Sequence, residues 1–226
     1  MGLCNSPDIF QAKMNKLLGE LEFVRAYLDD LLIITKQKEW GDHLLKLEEV
    51  LRRLQKAGLK VNLRKSFFGK EQLEYLGFEI NCSGIHPQAA KIEAIQALAS
   101  PKNKCQLRRF IGMVNYYCDM WHHRSGLLAP LTALTSANAA WQWSTVHEKA
   151  FQDVKKALSK SVLLTYPDFS KEFVIYTDAS DVQLGSVITQ SGRPVAFYSR
   201  KLNPAQTRYT TGEQELLSIV ETLKAF

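Results

Sequence analysis

The sequence predicts an α+β chain assembled from more than one part. Three observations carry this expectation. Two apolar, β-prone runs near the start are separated by little more than a pair of aspartates. The middle of the chain, from Pro87 to about Leu134, is patterned as helices. Three closely spaced strand patterns followed by a helix close the chain.

The elements can be justified in order. Ser6-Pro7-Asp8 opens a helix that runs to about Gly19: Ser6 can cap, Pro7 suits the first helical position, and Asp8 meets the positive end of the dipole. Phe23 to Tyr27 and Leu31 to Thr35 read as strands, with Leu28-Asp29-Asp30 between them as a hairpin turn. Leu44, Leu47, Leu51 and Leu54 recur at helical spacing, and Gly58 is placed to end that helix. Leu73 to Ile80 reads as one strand, and Asn81 to Gly84 as a turn.

From Pro87 the pattern is helical, with Ile92, Ile95 and Leu98 on one face. Pro101 interrupts it, and Leu107, Phe110, Ile111 and Val114 mark a second helix. Ser136 to Ala140 is small and polar, which suggests a boundary. Thr145-x-x-Glu148 then resembles a capping box ahead of Phe151, Val154 and Leu158. Glu172 to Thr177, Leu184 to Gln190 and Pro194 to Ser199 read as strands, the last two joined by Ser191-Gly192 as a tight turn. A helix from about Thr211 reaches Phe226 without a cap, so the expectation is a chain cut inside a domain. The expected divisions are 1–85, 86–138 and 139–226.

Composition narrows the class of protein. The 226 residues are 46% hydrophobic and 23% charged, enough apolar material for a core. No apolar run approaches the roughly 20 residues that span a bilayer, and the start has no basic-then-apolar leader. Cys4, Cys82, Cys105 and Cys118 are far apart and suit reduced thiols, hence an intracellular chain. The formal charge is +6, and Arg52 to Lys70 holds seven basic residues and no acid. Such an excess attracts polyanions, nucleic acid above all, although a solvated basic face reads the same way.

Asp29 and Asp30 lie inside Ala-Tyr-Leu-Asp-Asp-Leu-Leu-Ile-Ile. Adjacent carboxylates in a tight turn repel one another, and a divalent cation with a preference for oxygen, such as magnesium, relieves that repulsion. Two metals roughly 3.5–4 Å apart can activate a 3′ oxygen and stabilise departing pyrophosphate. The dipeptide alone reads as a polar turn. Asp178, after Phe173-Val174-Ile175-Tyr176, and Glu215, on the last helix, have the same ambiguity: a turn cap and a solvated helix residue account for them too.

Longer motifs add a resemblance. Tyr27-Leu28-Asp29-Asp30 resembles the polymerase motif of reverse transcriptases, and its surroundings resemble the Pol polyprotein of gypsy-type LTR retrotransposons. Gly2-Leu3-Cys4-Asn5-Ser6-Pro7 with Phe10-Gln11, Lys65-Ser66-Phe67-Phe68, Tyr75-Leu76-Gly77-Phe78, and Leu107-Arg108-Arg109-Phe110-Ile111-Gly112 with Asn115-Tyr116-Tyr117 follow that family's order. Tyr176-Thr177-Asp178-Ala179-Ser180, Ser199-Arg200-Lys201-Leu202-Asn203-Pro204 and Glu213-Gln214-Glu215-Leu216-Leu217 resemble its RNase H domain.

The resemblance implies the back part of a reverse transcriptase palm (1–85), a helical thumb (86–138), and a connecting helix with the first half of an RNase H-like domain (139–226). It implies metal-binding catalytic roles for Asp29, Asp30, Asp178 and Glu215, with Glu213 the alternative to Glu215. Gly2, Leu3 and Lys65, with Lys60 the alternative to Lys65, would serve the nucleotide and its pyrophosphate, and Leu76 and Gly77 the primer end. Lys104, Arg108, Arg109, Asn115 and Tyr116 would meet nucleic acid.

The implied cofactor is Mg2+, two ions per complete site, with Mn2+ an alternative. The implied partners are RNA/DNA template-primer, RNA–DNA hybrid, dNTPs and the remainder of the Pol polyprotein, with no membrane. The family's first polymerase aspartate precedes this chain and two nuclease carboxylates follow it, so the expectation is a fragment inactive alone. A non-catalytic nucleic-acid-binding protein and a degenerate element remnant are the rival readings. His122-His123 near Cys118 lacks the spacing of a zinc site, and Trp141 and Trp143 read as core.

Overall fold

The structure, a computed structural model, describes residues 4–35, 40–160 and 163–226. By compactness the chain divides into two units, Met1–Lys70 and Glu71–Phe226.

In the first unit, helix α1 (Ser6–Leu18) begins after Asn5 rather than after Ser6, with the proline in its first turn. Strands β1 (Val24–Tyr27) and β2 (Asp30–Ile33) form an antiparallel hairpin in the register Val24↔Ile33 to Tyr27↔Asp30. Helix α2 (Trp40–Lys56) ends as Gly58 predicts: Gly58 takes φ 71, and the Leu59 N–H donates to Leu54 O at 3.0 Å.

Met14, Leu18, Val24, Val50 and Leu54 make the core. The leucine stripe of α2 is a correction to the expectation. Val50 and Leu54 face inward, whereas Leu44 and Leu51 are 55% and 38% exposed. Leu51 lies roughly 100° around the helix from Val50, so both cannot face α1. Arg53 ties α2 to α1 by donating to Leu17 O at 3.0 Å, and Glu49 on its own helix holds it there, Oε1 accepting from Arg53 Nε at 2.8 Å.

The second unit opens with a three-stranded antiparallel meander, β3 (Gln72–Tyr75), β4 (Phe78–Asn81) and β5 (Gly84–Pro87). The single strand expected over Leu73 to Ile80 is therefore a hairpin. Leu76 at φ 48 and Gly77 at φ 77 reverse the chain in its middle. Helices α3 (Ala89–Gln96), α4 (Lys104–Asn115), α5 (Arg124–Leu134) and α6 (Thr145–Ser159) follow. Their inward faces, including Leu107, Phe110, Val114, Leu131, Phe151, Val154 and Leu158, build the main core. The N-cap of α6 is Ser144, whose N–H donates to His147 Nδ1 at 3.2 Å. Glu148, expected in that box, accepts instead from Trp143 Nε1 at 2.9 Å.

Strands β6 (Val174–Ala179), β7 (Gln183–Gln190) and β8 (Arg193–Lys201) form a second antiparallel sheet in sequence order. Helix α7 (Thr211–Ala225) lies on it through Gln214, Ser218 and Thr222. The meander and the segment ahead of β6 are stitched by the bridge Ile85↔Leu164. At that bridge a Cβ on Gly84 would sit 2.0 Å from Leu164 O, so only glycine fits. No helix among the described residues is long and apolar enough to cross a membrane.

Candidate functional site

The first candidate site is the tip of the β1–β2 hairpin. Only Leu28 and Asp29 lie between the strands, and Asp30 is the first residue of β2. Leu28 takes φ 51, a conformation that costs a side-chain-bearing residue about 1–2 kcal/mol. Gln11 of α1 holds the turn. Its Oε1 accepts the Leu28 N–H at 2.6 Å, and its Nε2 donates to Ala26 O at 3.0 Å. Two such bonds, each worth about 1 kcal/mol net, are of the size needed to offset the strained leucine.

Asp29 and Asp30 are both exposed, and neither carboxylate has a hydrogen bond or ion pair among the described residues. They face water with their oxygens uncommitted. Lys65 ends the short helical turn Leu63–Lys65, which Asn62 caps, and both Lys65 and Lys60 are exposed. Gly2 and Leu3 lie outside the described residues.

The β3–β4 turn in the second unit is built differently. Tyr116 OH donates to Leu76 O at 2.5 Å, and Tyr117 OH donates to Gly77 O at 3.1 Å. Phe78 stacks on Tyr116, centroids 5.3 Å apart, and meets Tyr117 edge-on at 5.4 Å. Tyr117 is buried, and burial, then the Tyr116 hydroxyl, raises its pKa. Tyr116 keeps 53% of its surface exposed.

The other residues expected to meet nucleic acid are largely engaged within the unit. Lys104 Nζ donates to Ser136 O at 2.6 Å, and Arg108 Nη2 to Thr135 O at 2.8 Å. These cations satisfy free carbonyls just past the end of α5. Asn115 Oδ1 accepts from Arg124 Nη1 at 2.9 Å. Arg109 is exposed, with no hydrogen bond among the described residues. Trp141 and Trp143 pack on the core, and His122 packs on Phe197 with centroids 4.4 Å apart.

The second carboxylate pair lies where α7 meets the sheet. Ser218, one turn after Glu215, donates to Gly185 O at 3.2 Å and to Asp178 O at 3.5 Å, which brings Glu215 to the Asp178 end of the sheet. The register pairs Asp178 with Gly185 and Gly185 with Ser199, and these share one face. Ser186 points to the other face, where it meets Thr222 of α7 at 2.7 Å. Asp178 and Glu215 thus approach the sheet end from different sides.

Both are exposed and have no side-chain hydrogen bond among the described residues. Glu213 is committed elsewhere: its carboxylate accepts from Thr210 N at 2.8 Å and from Thr210 Oγ1 at 2.9 Å, and these bonds lower its pKa. Among the described residues no three His, Cys, Asp or Glu side chains gather into a metal-holding group.

Comparison with known proteins places these sites in a family context. Residues 1–80 match the model of the reverse transcriptase (RNA-dependent DNA polymerase) family, and residues 143–226 that of the RNase H-like domain found in reverse transcriptase. The Transposon Tf2-3 polyprotein of Schizosaccharomyces pombe is 34% identical over 99% of this chain, and the Tf2-7 polyprotein is 33% identical. The chain spans 17% of the length of these curated relatives.

Among solved structures, the foamy viral protease-reverse transcriptase in complex with RNA/DNA hybrid aligns with a TM-score of 0.86 at 25% identity. That alignment covers 100% of this chain and 31% of the viral one. A second structure of that protein, in complex with double-stranded DNA, aligns at a TM-score of 0.88 over 100% of this chain and 40% of its own. The gypsy-type resemblance is consistent with the Tf2 relatives.

Proposed function

We propose that this chain, which carries a reverse transcriptase segment and an RNase H-like segment of the retrotransposon polyprotein kind, supplies part of two metal-dependent sites that act on one nucleic acid. The first makes DNA on an RNA template, and the second cuts the RNA strand of the resulting hybrid. The observation that carries the reading is the Asp29-Asp30 pair, exposed and uncommitted at the tip of a hairpin whose backbone Gln11 fixes.

The residues suit a hard divalent cation in chemistry: both pairs are carboxylate oxygens open to water. Each pair falls short of the donor set that two metals need, so each site takes further carboxylates from outside the described residues. Asp29 and Asp30 would hold Mg2+ in the polymerase site. Asp178 and Glu215, which reach the same end of the sheet, would hold it in the nuclease site. When bound, the metals supply charge neutralisation at the phosphoryl centre and activation of the attacking oxygen.

Lys65 is assigned to the departing pyrophosphate, and Leu76 and Gly77 to the primer end. The functional division is proposed as palm (1–85), thumb (86–138), and connecting helix with RNase H-like segment (139–226). Template-primer, hybrid and dNTPs are the proposed ligands, and an intracellular particle or the nucleus the proposed setting.

In the longer polyprotein enzyme that contains this chain, Asp29→Asn is expected to abolish primer extension on an RNA template with magnesium while leaving hybrid cleavage intact. Asp178→Asn is expected to do the reverse. Extension that survives the first change overturns the polymerase assignment, and cleavage that survives the second overturns the nuclease one.

A second reading, nucleic-acid binding without catalysis, has one observation in its favour. Lys56, Lys60, Arg64, Lys65 and Lys70 are exposed and have no ion pair among the described residues. If all five engage phosphates, affinity falls by roughly 3.5 powers of ten on a single strand to 4.5 on a duplex for a tenfold rise in salt.

A further inference from the structure

The hydroxyls of Tyr116 and Tyr117 donate to the carbonyls of two consecutive residues, Leu76 and Gly77, from 40 positions away. Both recipients have left-handed backbones, φ 48 and φ 77. The chain contains an internal control for what such a turn requires. Ser191-Gly192 joins β7 to β8 with nearly the same angles, φ 51 and φ 76, yet no side chain clamps it among the described residues. A Cβ on Gly192 would meet nothing within 4 Å, whereas one on Gly77 would meet Tyr116 Cε1 at 3.4 Å and Tyr117 Oη at 3.5 Å. A turn of this shape therefore forms without a clamp, and the tyrosine pair is not needed to make it.

The pair instead fixes where the turn sits. Tyr116 is the C-cap residue of α4 and Tyr117 follows it, so the end of that helix is bonded to the tip of the meander. Phe78, the first residue of β4, packs against both rings and keeps the hydroxyls aimed at the carbonyls. Gly77 O is further held by the Gln88 N–H at 3.0 Å, while Tyr116 is the donor to Leu76 O.

We propose that Tyr116 and Tyr117 are positioning residues that couple α4 to the Leu76-Gly77 turn, so that the helix sets the height of the primer's 3′ end. This rests on the reading of that turn as the primer-holding element. The tyrosines act through the turn, and Tyr116 contributes its hydroxyl to the protein rather than to nucleic acid.

The test uses the longer enzyme that contains this chain, with Tyr116→Phe, Tyr117→Phe and the double change. Each removes a hydroxyl and keeps the ring that packs on Phe78. Single-turnover extension from preformed template-primer complex is read beside template-primer Kd and hybrid cleavage. The double variant is expected to extend about tenfold more slowly, with Kd and cleavage within a factor of two of the parent. Extension at the parental rate overturns the proposal. Equal losses of extension and cleavage also overturn it, because they report a general loss of structure. Asp29→Asn is run alongside. If extension survives that change, the polymerase reading fails first and this inference falls with it; if extension is abolished, any failure belongs to the tyrosines alone.

Discussion

Leu28-Asp29 and Leu76-Gly77 are two-residue turns opened by a leucine in the left-handed region, yet they are held from opposite sides of the peptide chemistry. At the first, Gln11 takes the donor, the Leu28 N–H. At the second, Tyr116 and Tyr117 take the acceptors, Leu76 O and Gly77 O. The difference follows what each turn has to offer. Leu28-Asp29 presents a side chain, so its clamp fixes the backbone and leaves the carboxylate free. At Leu76-Gly77 the second residue has no side chain to present, and there the carbonyls themselves are fixed.

The comparison can be sharpened first at Cys118, beside Tyr117. Burial, then the Asp119 carboxylate, pushes this thiol up to about 11. A raised thiol pKa leaves about 0.1% thiolate at pH 8, and burial adds a steric barrier to the reagent. Iodoacetamide should therefore modify Cys118 roughly a hundredfold more slowly than exposed Cys82 and Cys105. Peptide mass spectrometry across a time course reads the ratio, and equal rates would show that the α4 end beside Tyr117 does not keep Cys118 shielded.

Gln11→Ala breaks the other clamp. It should slow extension by about tenfold or more, since a loose turn misplaces Asp29, and should leave template-primer Kd unchanged. Faster exchange of the Leu28 amide hydrogen would locate the damage. Parental kinetics would mean that the turn holds itself.

The third change separates strain from function. Gly77→Ala and Gly192→Ala place the same side chain at nearly the same φ, 77 and 76, so each should cost about 1–2 kcal/mol in denaturant unfolding. Only Gly77→Ala should also lower extension. A parallel loss in both variants would remove the distinction between a positioned turn and an ordinary one.

These turns also show what the sequence could disclose. Ser191-Gly192 was legible because a small polar residue before glycine is the expected chemistry of such a turn. Leu76-Gly77 was hidden inside an apolar run, since leucine at a left-handed position gives no turn signal and Leu73 to Ile80 reads as one strand. β5 was missed for a related reason: Gly84-Ile85-His86-Pro87 begins with glycine and ends with proline. The stripe of α2 misled because helical spacing identifies an apolar face without saying which neighbour covers it, and Val50 with Leu54 won that contact.

At the candidate sites, the aspartates were visible as adjacent charges between strands. Gln11 had no signal beyond its place beside Phe10 in a motif, because its partners lie 15 and 17 residues away. The tyrosine–carbonyl bonds span 40 residues and could not be read locally. Lys104 and Arg108 looked free as a basic cluster, but their positions relative to the end of α5 are set only by packing.

The bridge between Ile85 and Leu164, with Gly84 too close to Leu164 O to tolerate a methyl group, joins a strand just past the segment that matches the reverse transcriptase family to a residue inside the RNase H-like match. Recombination that exchanges the segment from residue 143 onward would have to bring a backbone that still docks on a glycine far upstream. The constraint is on shape rather than on side-chain identity at residue 164, so a chimera joined near residue 143 should assemble only where its upstream parent keeps glycine at position 84.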